Sequence, residues 1–266
     1  MNDMRNDQKY LKDKQYKQAD RLNFRINLHK KFSTNTVDWH EWVFSHFDLK
    51  PGMKVLEVGC GPSNLWQVNS QFIPKEIEVY LSDFSFGMVR TSSQKALPEK
   101  VVKLINCEAR AIPFPEGYFD VVIANHMLYH VPDLKLTLEE ILRVLKKSGA
   151  LFAATNGEKH MIEIYDLIKK LVPETETIKS VSLNFNLENG RDFLKEYFSE
   201  VNCFIYPDSL EVTETQPLVD YIDSFWDQVI NEDQLQNCAT EIKKIINQEK
   251  VFHIQKSTGL FVAKNT

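Results

Sequence analysis

The spacing of hydrophobic positions changes from helical to strand-like near residue 50. Before that point, apolar residues recur every three or four positions, which predicts a polar helix over 6–31 and a second helix over Thr36–Phe47. After the Pro51-Gly52 turn, short apolar runs alternate with helical patterns. This alternation is typical of βαβ units and predicts a parallel sheet covered by helices on both faces. The strands predicted from these runs lie at 53–58, 77–83, 101–106, 119–125 and 150–155.

Two helices later in the chain have a recognisable start in the sequence. Asp133 is placed to cap a helix over Leu134–Lys147, and Pro217 suits the first position of a helix that runs to about Ile230. We expect 207–250 to be a helical insertion, because it lies between two predicted strands. The other predicted elements are helices over Glu158–Val172, Gly190–Phe198 and Glu232–Gln248, a strand over Val201–Tyr206, and a final strand pair or long bent strand over Val251–Lys264.

Composition excludes several classes of protein. The chain has 266 residues, 43% of them hydrophobic, which is enough for one large domain or a core with an appended subdomain and too apolar for a disordered chain. It contains no apolar run of membrane-spanning length, and its polar start does not resemble a signal peptide. The widely spaced cysteines include no CxxC pair. This pattern fits a reducing cytoplasm, and it argues against a disulfide scaffold or a zinc finger. These cysteines are Cys60, Cys107, Cys203 and Cys238.

Charge is distributed unevenly along the chain. The net charge of −5 makes a general nucleic-acid binder unlikely. Residues 1–31, however, carry nine Lys or Arg against four Asp, so this segment is +5 and the remainder −10. We interpret the basic segment as docking onto the acidic body of the same chain. A disordered tail and the recruitment of an anionic substrate are the alternatives.

A glycine turn directly follows the first predicted strand. The strand runs into Gly59 and Gly61, and glycines at such a turn let the backbone approach a ligand closely. Glu57 lies inside the same apolar strand, where an unpaired carboxylate would be costly to desolvate. Asp83 ends the second strand, where an acid accepts hydrogen bonds from ribose hydroxyls in nucleotide-binding α/β folds. The alternatives are a plain turn and an Asp83 that only caps a helix beginning near Ser85.

Four consecutive motifs carry a resemblance to a known family. VLEVGCG (55–61), LSDFSFGMV (81–89), CEARAIPFPEGYFDVVIANHMLYHVPD (107–133) and LEEILRVLKKSGALF (138–152) occur in the order and spacing of class I S-adenosylmethionine-dependent methyltransferases. They look most like the small-molecule branch that includes the ubiquinone and menaquinone-type enzymes. The resemblance covers about residues 50–156 and implies S-adenosyl-L-methionine as cofactor and S-adenosyl-L-homocysteine as product.

The resemblance also implies a fold and a division of the chain. We expect an α/β, Rossmann-like, doubly wound sheet of seven mainly parallel strands, with N-terminal helices and the helical insertion forming a lid. The expected parts are an N-terminal helical lid (1–50), the cofactor-binding core (51–156), helices and a strand that complete the core (157–206), the helical cap insertion (207–250) and a final strand region (251–266).

Each matched residue has an implied role toward the cofactor. Glu57 would hold the methionine amino end, Gly59 and Gly61 would let the cofactor lie against the backbone, and Asp83 would take the ribose hydroxyls. Ser63 stands where the family has a third glycine and would place a hydroxyl near the cofactor carboxylate. The remaining implied contacts are Cys60 in the turn, Phe84 and Met88 beside the adenine, Glu108 and the backbone N–H of Ala109 at the adenine amino group, and Asn125 at the methionine part.

Methyl transfer from a sulfonium is a direct displacement, so the protein must align the reactants, exclude water and, for some acceptors, remove a proton. The candidates for proton handling or acceptor contact are His126, His130 and Tyr129, just after the fourth strand; packing is the alternative role for each. No metal site is expected, because His-Glu-x-x-His is absent. The candidate acceptor-binding residues are Tyr16, Arg21, His160 and Trp226.

The sequence therefore predicts an S-adenosylmethionine-dependent methyltransferase that acts on O, N or C of a small organic molecule. An RNA or protein methyltransferase that docks its substrate on the basic N-terminal helix is the alternative. A non-catalytic cofactor-binding protein is the third hypothesis, which the intact acid and glycine positions disfavour. The oligomeric state is left open.

Overall fold

The computed structural model describes residues 19–95, 101–175, 184–227 and 229–265, which contain a large sheet and a small one. The large sheet has the strand order β3-β2-β1-β4-β5-β9-β6, and the small one pairs β7 with β8. The strands are β1 (Lys54–Val58), β2 (Glu78–Asp83), β3 (Val101–Asn106), β4 (Phe119–Asn125), β5 (Leu145–Asn156), β6 (Glu200–Ile205), β7 (Ser209–Val212), β8 (Phe252–Gln255) and β9 (Thr258–Lys264).

The topology of the large sheet confirms the predicted fold class. Neighbouring strands from β3 to β5 pair in parallel, while β9 runs antiparallel to both β5 and β6. The sheet is therefore seven-stranded and mainly parallel. Strand order reverses at β1, whose neighbours are β2 on one side and β4 on the other. In doubly wound sheets ligands bind in the crevice at the carboxyl ends of the strands at this reversal point.

Local chemistry sets the ends of several helices. The Asp133 side chain accepts a hydrogen bond from Leu136 N–H, as expected, and Asn231 and Gln234 form a reciprocal capping box. The helices are α1 (Ala19–Phe32), α2 (Trp39–Phe44), α3 (Asn64–Val68), α4 (Phe86–Ser93), α5 (Leu134–Val144), α6 (Ile162–Leu171), α7 (Gly190–Lys195), α8 (Thr215–Trp226) and α9 (Glu232–Glu249). No helix in these ranges is both long and apolar enough to cross a lipid bilayer.

Both faces of the large sheet are buried. Along β4, Val122 and Ala124 belong to one hydrophobic cluster, whereas Val121 and Ile123 belong to a second cluster on the opposite face. Because the strand is covered on both sides, its sequence is a nearly continuous apolar run rather than an alternating one. This double coverage holds β1 and β4 rigidly at the centre of the molecule.

A third hydrophobic cluster lies outside the large sheet. It is built by α1, α6, α8, α9 and the small β7-β8 sheet, with fully buried Leu28, Leu218, Ile222 and Ile242. Ion pairs also join α1 to the α8 region, from Arg21 to Asp227 at 2.8 Å and from Lys31 to Glu214 at 2.6 Å. The basic helix α1 thus contacts acidic residues of the same chain. Residues 6–18 of the predicted N-terminal helix lie outside the described residues.

Several predicted elements differ from the structure. The 207–250 block begins with strand β7 rather than being wholly helical, and β8 and β9 belong to different sheets rather than to one pair. In β7 only Leu210 and Val212 are buried, so its alternation is too short to identify from sequence. Pro217 is the third residue of α8, not the first. Helix α5 ends at Val144 because the chain enters β5 directly.

Candidate active site

The turn after β1 combines a close contact with an open space. Gly59 and Gly61 have φ values of 67° and 52°, in the left-handed region that glycine adopts without strain. A Cβ on Gly59 would lie 2.8 Å from the Cβ of Met127, so the loop after β4 approaches the turn at van der Waals contact. A Cβ on Gly61 would meet no heavy atom within 4 Å. The turn therefore offers an open cradle at Gly61 that any side chain would fill.

A buried carboxylate lies directly before this turn. Glu57 is 3% exposed, and its carboxylate accepts hydrogen bonds from Trp66 Nε1 at 2.7 Å and Asn125 Nδ2 at 3.3 Å. Burial raises the pKa of Glu57 to about 8, although both donors act in the opposite direction. The Oδ1 atom of Asn125 is buried and has no hydrogen-bond partner in the described structure. An unmet acceptor beside a buried carboxylate fits an ammonium group such as the amino end of methionine.

Asp83, at the end of β2, ties the glycine turn to the start of α4. Its carboxylate accepts hydrogen bonds from the backbone N–H groups of Gly61 at 2.9 Å and Ser85 at 2.7 Å. Ser85 in turn caps α4, so Asp83 supports the start of this helix. This is one of the two roles that the sequence suggested for Asp83. Burial raises the pKa of this carboxyl group. Because Asp83 also lines the cavity described next, a contact with ribose hydroxyls stays a prediction.

A cavity of about 700 Å³ extends from the glycine turn to helices α1 and α8. Most of the predicted cofactor residues line it. Ser63 and Met88 do not: the Ser63 hydroxyl is 2.7 Å from Ser92 Oγ in the protein interior, and Met88 is buried in α4. The predicted residues that line the cavity are Glu57, Gly59, Cys60, Gly61, Asp83, Phe84, Glu108, Ala109 and Asn125.

Buried imidazoles form the other half of the cavity wall. His126, His130 and His160, predicted from sequence, line it together with His29. The His29 and His160 rings stack with their centroids 6.2 Å apart. Burial is the main cause that lowers the pKa of His126 to about 4 and of His29 and His130 to about 3, and it lowers the pKa of His160 as well. All four imidazoles are therefore neutral near pH 7.

Aromatic side chains complete this half of the cavity. Tyr206 donates a hydrogen bond to the Val37 carbonyl at 2.5 Å, and burial raises the pKa of Tyr206 to about 12. The Trp39 ring lies 5.2 Å from that of His126, which has a left-handed φ of 51°. An enclosed wall of this kind excludes water. The other aromatic residues that line this half are Tyr129, Tyr165, Tyr221 and Phe225.

Three predicted acceptor residues lie away from the cavity or outside the described chain. Arg21 is ion-paired with Asp227, and neither lines the cavity. Trp226 packs behind the wall, with its ring 5.3 Å from that of Tyr165. Tyr16 lies outside the described residues. Of the predicted acceptor residues in the described ranges, only His160 faces the cavity.

Sequence reasoning missed several residues on the wall. Arg21, Arg25 and His29 recur every four positions and so share one face of α1, a signal that was present in the sequence. Arg25 and His29 of this set line the cavity, and Arg25 lies 4.5 Å over the Phe225 ring. Lys256 also lines the cavity, but from the turn between β8 and β9, where no periodic signal exists.

Comparisons with known proteins identify methyltransferases as similar to this chain. Residues 56–153 match a family model described as a methyltransferase domain. A demethylmenaquinone methyltransferase of Geobacillus sp. (strain WCH70) is 31% identical over 152 residues, which cover 56% of this chain and 63%, less than two thirds, of the relative. A demethylmenaquinone methyltransferase of Staphylococcus aureus (strain MRSA252) is 29% identical over 201 residues, covering 70% of this chain and 80% of the relative.

Over this domain the chain is similar in sequence to class I S-adenosylmethionine-dependent methyltransferases. A structure of Haemonchus contortus phosphoethanolamine N-methyltransferase 2 with S-adenosyl-L-methionine superposes with a TM-score of 0.58 at 16% identity, covering 97% of this chain and 60% of that one. An identity this low supports the fold alone. The cofactor bound in that Haemonchus contortus structure is S-adenosyl-L-methionine. The open cradle at Gly61 and the buried acceptors of Glu57 and Asn125 fit that molecule.

Replacing Gly59 with alanine is expected to destabilise the methyltransferase by about 2–4 kcal/mol, because it adds a clash with Met127 to the strain of a left-handed backbone. Chemical denaturation measures this loss. Gly117→Ala is the matched control, since Gly117 has a φ of 63° and open space at its Cβ position. This control variant is expected to lose about 1 kcal/mol of the free energy of unfolding, from backbone strain alone. Equal losses in both variants would contradict the close contact.

Binding of S-adenosyl-L-homocysteine at pH 7 is expected to release close to one proton. With a pKa of about 8, Glu57 is mostly protonated in the free protein, and a ligand ammonium at this carboxyl group favours the ionised form. Calorimetry in buffers of different ionisation enthalpy measures the number of protons released. Glu57→Gln should abolish the release. Proton uptake, or no difference between the two proteins, would exclude this role of Glu57.

Proposed function

We propose that the protein transfers the methyl group of S-adenosyl-L-methionine to a small organic acceptor by direct in-line displacement. One observation carries the proposal: the cavity of about 700 Å³ joins the glycine turn to a wall of aromatic rings and neutral imidazoles. This volume is within the range of sites that hold a cofactor or small ligand. A chamber closed by helices excludes a polymer strand more readily than a small molecule.

When bound, the cofactor supplies an electrophilic methyl group. The chain's own contribution is to position the reactants and exclude water. Glu57 and Asn125 would hold the methionine amino end, Asp83 would accept hydrogen bonds from the ribose, and the glycine turn would let the cofactor lie against the backbone. The aromatic wall would hold the acceptor beside the cofactor. Alignment of this kind removes much of the entropic cost of a bimolecular reaction.

Helices α1 and α8 carry the part of the wall opposite the glycine turn. Arg25 and His29 come from α1, while Tyr221 and Phe225 come from α8. We therefore propose that these helices act as the lid expected from the sequence and contribute to the choice of acceptor. Among the described residues predicted to contact the acceptor, His160 and Tyr129 line this cavity.

The relatives support a small acceptor. The matched proteins of Geobacillus and Staphylococcus aureus are named as demethylmenaquinone methyltransferases, so their acceptors are small organic molecules. The alternative, an RNA or protein methyltransferase that docks its substrate on the basic helix, has less support in the structure. Arg21 and Lys31 of α1 are already paired with Asp227 and Glu214 of the same chain. A cytoplasmic location, expected from the cysteine pattern, belongs to this proposal as well.

Methyl transfer from labelled S-adenosyl-L-methionine tests the proposal directly. Incubation with panels of small phenols, quinols and amines is expected to give labelled small molecules, and incubation with total RNA or protein to give none. Calorimetric binding of S-adenosyl-L-homocysteine shows that the cofactor site is intact. Labelling of RNA or protein alone would support the alternative. A protein that binds the cofactor but labels no member of any panel would support the non-catalytic hypothesis.

A proton released by the acceptor has three candidate recipients on the loop after β4, His126, His130 and Tyr129. We assign it to His126, because this neutral imidazole lies at the residue directly after Asn125, at the carboxyl end of the central strands. His126→Asn is expected to lower kcat about 100-fold and to leave cofactor affinity within about twofold. Asparagine is the suitable replacement because it tolerates the left-handed φ of 51°.

His130→Asn provides the comparison, measured with the same acceptor by steady-state kinetics. A loss of kcat only in His130→Asn would move the role to His130. Unchanged kcat in both variants would show that transfer needs neither imidazole as a base. Since the pKa of His126 lies at about 4, the wild-type kcat should stay constant from pH 8 down to about pH 5 and fall below it as the ring is protonated.

A further inference from the structure

Lys256 places a buried cation on the cavity wall. Its side chain is 8% exposed and forms an ion pair with Asp208, whose side chain is fully buried. Lys256 lines the cavity, whereas Asp208 does not. Lys256 is thus the member of this ion pair that lines the cavity.

Asp208 is hydrogen-bonded without the help of Lys256. Its Oδ1 accepts from the backbone N–H groups of Thr34, Asn35 and Ser209 at 3.1, 3.0 and 2.9 Å, and its Oδ2 accepts from Ser33 Oγ at 2.5 Å. The ammonium group has three N–H donors. In the described ranges its recorded hydrogen-bond partner is Asp208 alone. Lys256 thus retains donors that a ligand in the cavity can use.

His160 provides a second donor of defined geometry. Its Nδ1 is 3.2 Å from the backbone N–H of Ser257, which can only donate. Nδ1 also lies 3.1 Å from Thr258 Oγ1, whose hydroxyl donates to Asn156 Oδ1. We assign the tautomer from the Ser257 N–H, which requires an unprotonated Nδ1 and so a proton on Nε2. His160 lines the cavity, and Nε2 is the ring nitrogen on the side away from Ser257.

The charges that act on the nearby imidazoles are basic. Lys256 contributes to lowering the pKa of His29, His126 and His160, and the other groups that lower these pKa values besides burial are histidines, of which His29 and His126 are neutral near pH 7. The carboxylate of Asp38 also lines the cavity close to Lys256, where it accepts a hydrogen bond from the backbone N–H of His40 at 2.7 Å. The positive charge of Lys256 favours an anion at the wall beside it, and the carboxylate of Asp38 opposes that preference.

We propose that Lys256 and His160 bind an anionic oxygen of the methyl acceptor, either a carboxylate used for recognition or the phenolate that receives the methyl group. The proposal rests on the proposed methyltransferase function and adds the charge of its acceptor. Both sources present the same chemistry to the wall, an oxygen anion that accepts from an ammonium and an imidazole N–H. A protonated amine is the class of acceptor that this wall disfavours.

Three probes of the same planar shape test the charge preference, namely benzoate, benzamide and benzamidinium. Calorimetry with protein saturated with S-adenosyl-L-homocysteine is expected to show benzoate binding about tenfold or more tightly than benzamide, and benzamidinium most weakly. Equal affinities, or tighter binding of benzamidinium, would overturn the proposal. 4-Nitrophenolate at pH 8 separates the two sources: tighter binding than benzoate indicates a phenolate acceptor, and weaker binding indicates a recognised carboxylate.

Variants separate ligand binding from the structural role of the ion pair. Lys256→Met should weaken benzoate binding about 30-fold, but it also leaves Asp208 as an unpaired buried charge. The double variant Lys256→Met with Asp208→Asn removes both charges, so it should recover most of the thermal stability while benzoate binding stays weak. Recovery of binding together with stability would overturn the proposal. Lys147→Met, at an exposed site outside the cavity, is the control with the same change of charge.

The His160 donor has its own test. His160→Gln retains an N–H donor and should bind benzoate within about threefold of wild type, whereas His160→Leu should bind it about tenfold more weakly. Equal binding by these two variants would exclude His160 from the site. Affinity for S-adenosyl-L-homocysteine, measured separately, should not change in any of these variants. If the wild-type protein did not bind S-adenosyl-L-homocysteine, that result would instead count against the proposed methyltransferase function.

Discussion

The buried carboxylate of Glu57 is the constraint on which the site depends. A carboxylate at the end of a central strand is costly to desolvate, so its neighbours must supply donors. Trp66 of α3 and Asn125 of β4 do so, and in the process they connect the glycine turn, the following helix and the neighbouring strand. Within the described residues, Oδ1 of Asn125 is left buried and without a hydrogen-bond partner beside the carboxyl group of Glu57.

Charge divides the cavity into two halves. The half around the glycine turn is lined by the acids Glu57, Asp83 and Glu108, which suits a cofactor that carries an ammonium and a sulfonium. The opposite half contains the cations Lys256 and Arg25 among neutral imidazoles, together with the carboxylate of Asp38. Such a division orients two ligands of opposite charge toward each other. It also keeps a second cation away from the sulfonium, where repulsion would oppose binding.

The two halves are built on supports of different rigidity. β1 and β4 are covered on both faces, and the cofactor half is attached to their ends. The acceptor half is attached to α1, α8 and the β8–β9 turn, and also to the loop after β4, which carries His126, Tyr129 and His130. Helices α1 and α8 pack in a separate hydrophobic cluster and are joined by ion pairs. The part of the acceptor wall on these two helices can therefore change while the cofactor half is retained.

The first five strands, the Asp133 cap and the cofactor half of the site could be predicted from the sequence. These features are local: a buried strand is an apolar run of six or seven residues, and Gly59, Gly61 and Asp83 stand directly at strand ends. The recurrence of Arg21, Arg25 and His29 on one face of α1 was equally local, although it was not used. The position of Ser63 shows the limit, because its left-handed backbone turns the hydroxyl toward Ser92.

The part of the acceptor half around Lys256 was decided by tertiary structure. Strand β7 pairs with β8 across about forty residues, and Asp208 meets Lys256 and Ser33 across 48 and 175 positions of the chain. No periodic pattern records such contacts, because each depends on how helices and turns pack rather than on neighbouring residues. The sequence by itself therefore determined the first five strands and the glycine turn, and its motifs carried the resemblance that implies the cofactor. Only the packing of α1, α8 and the β8–β9 turn brought Lys256 and His160 to one wall, since long-range contacts alone bring residues so distant in the chain together.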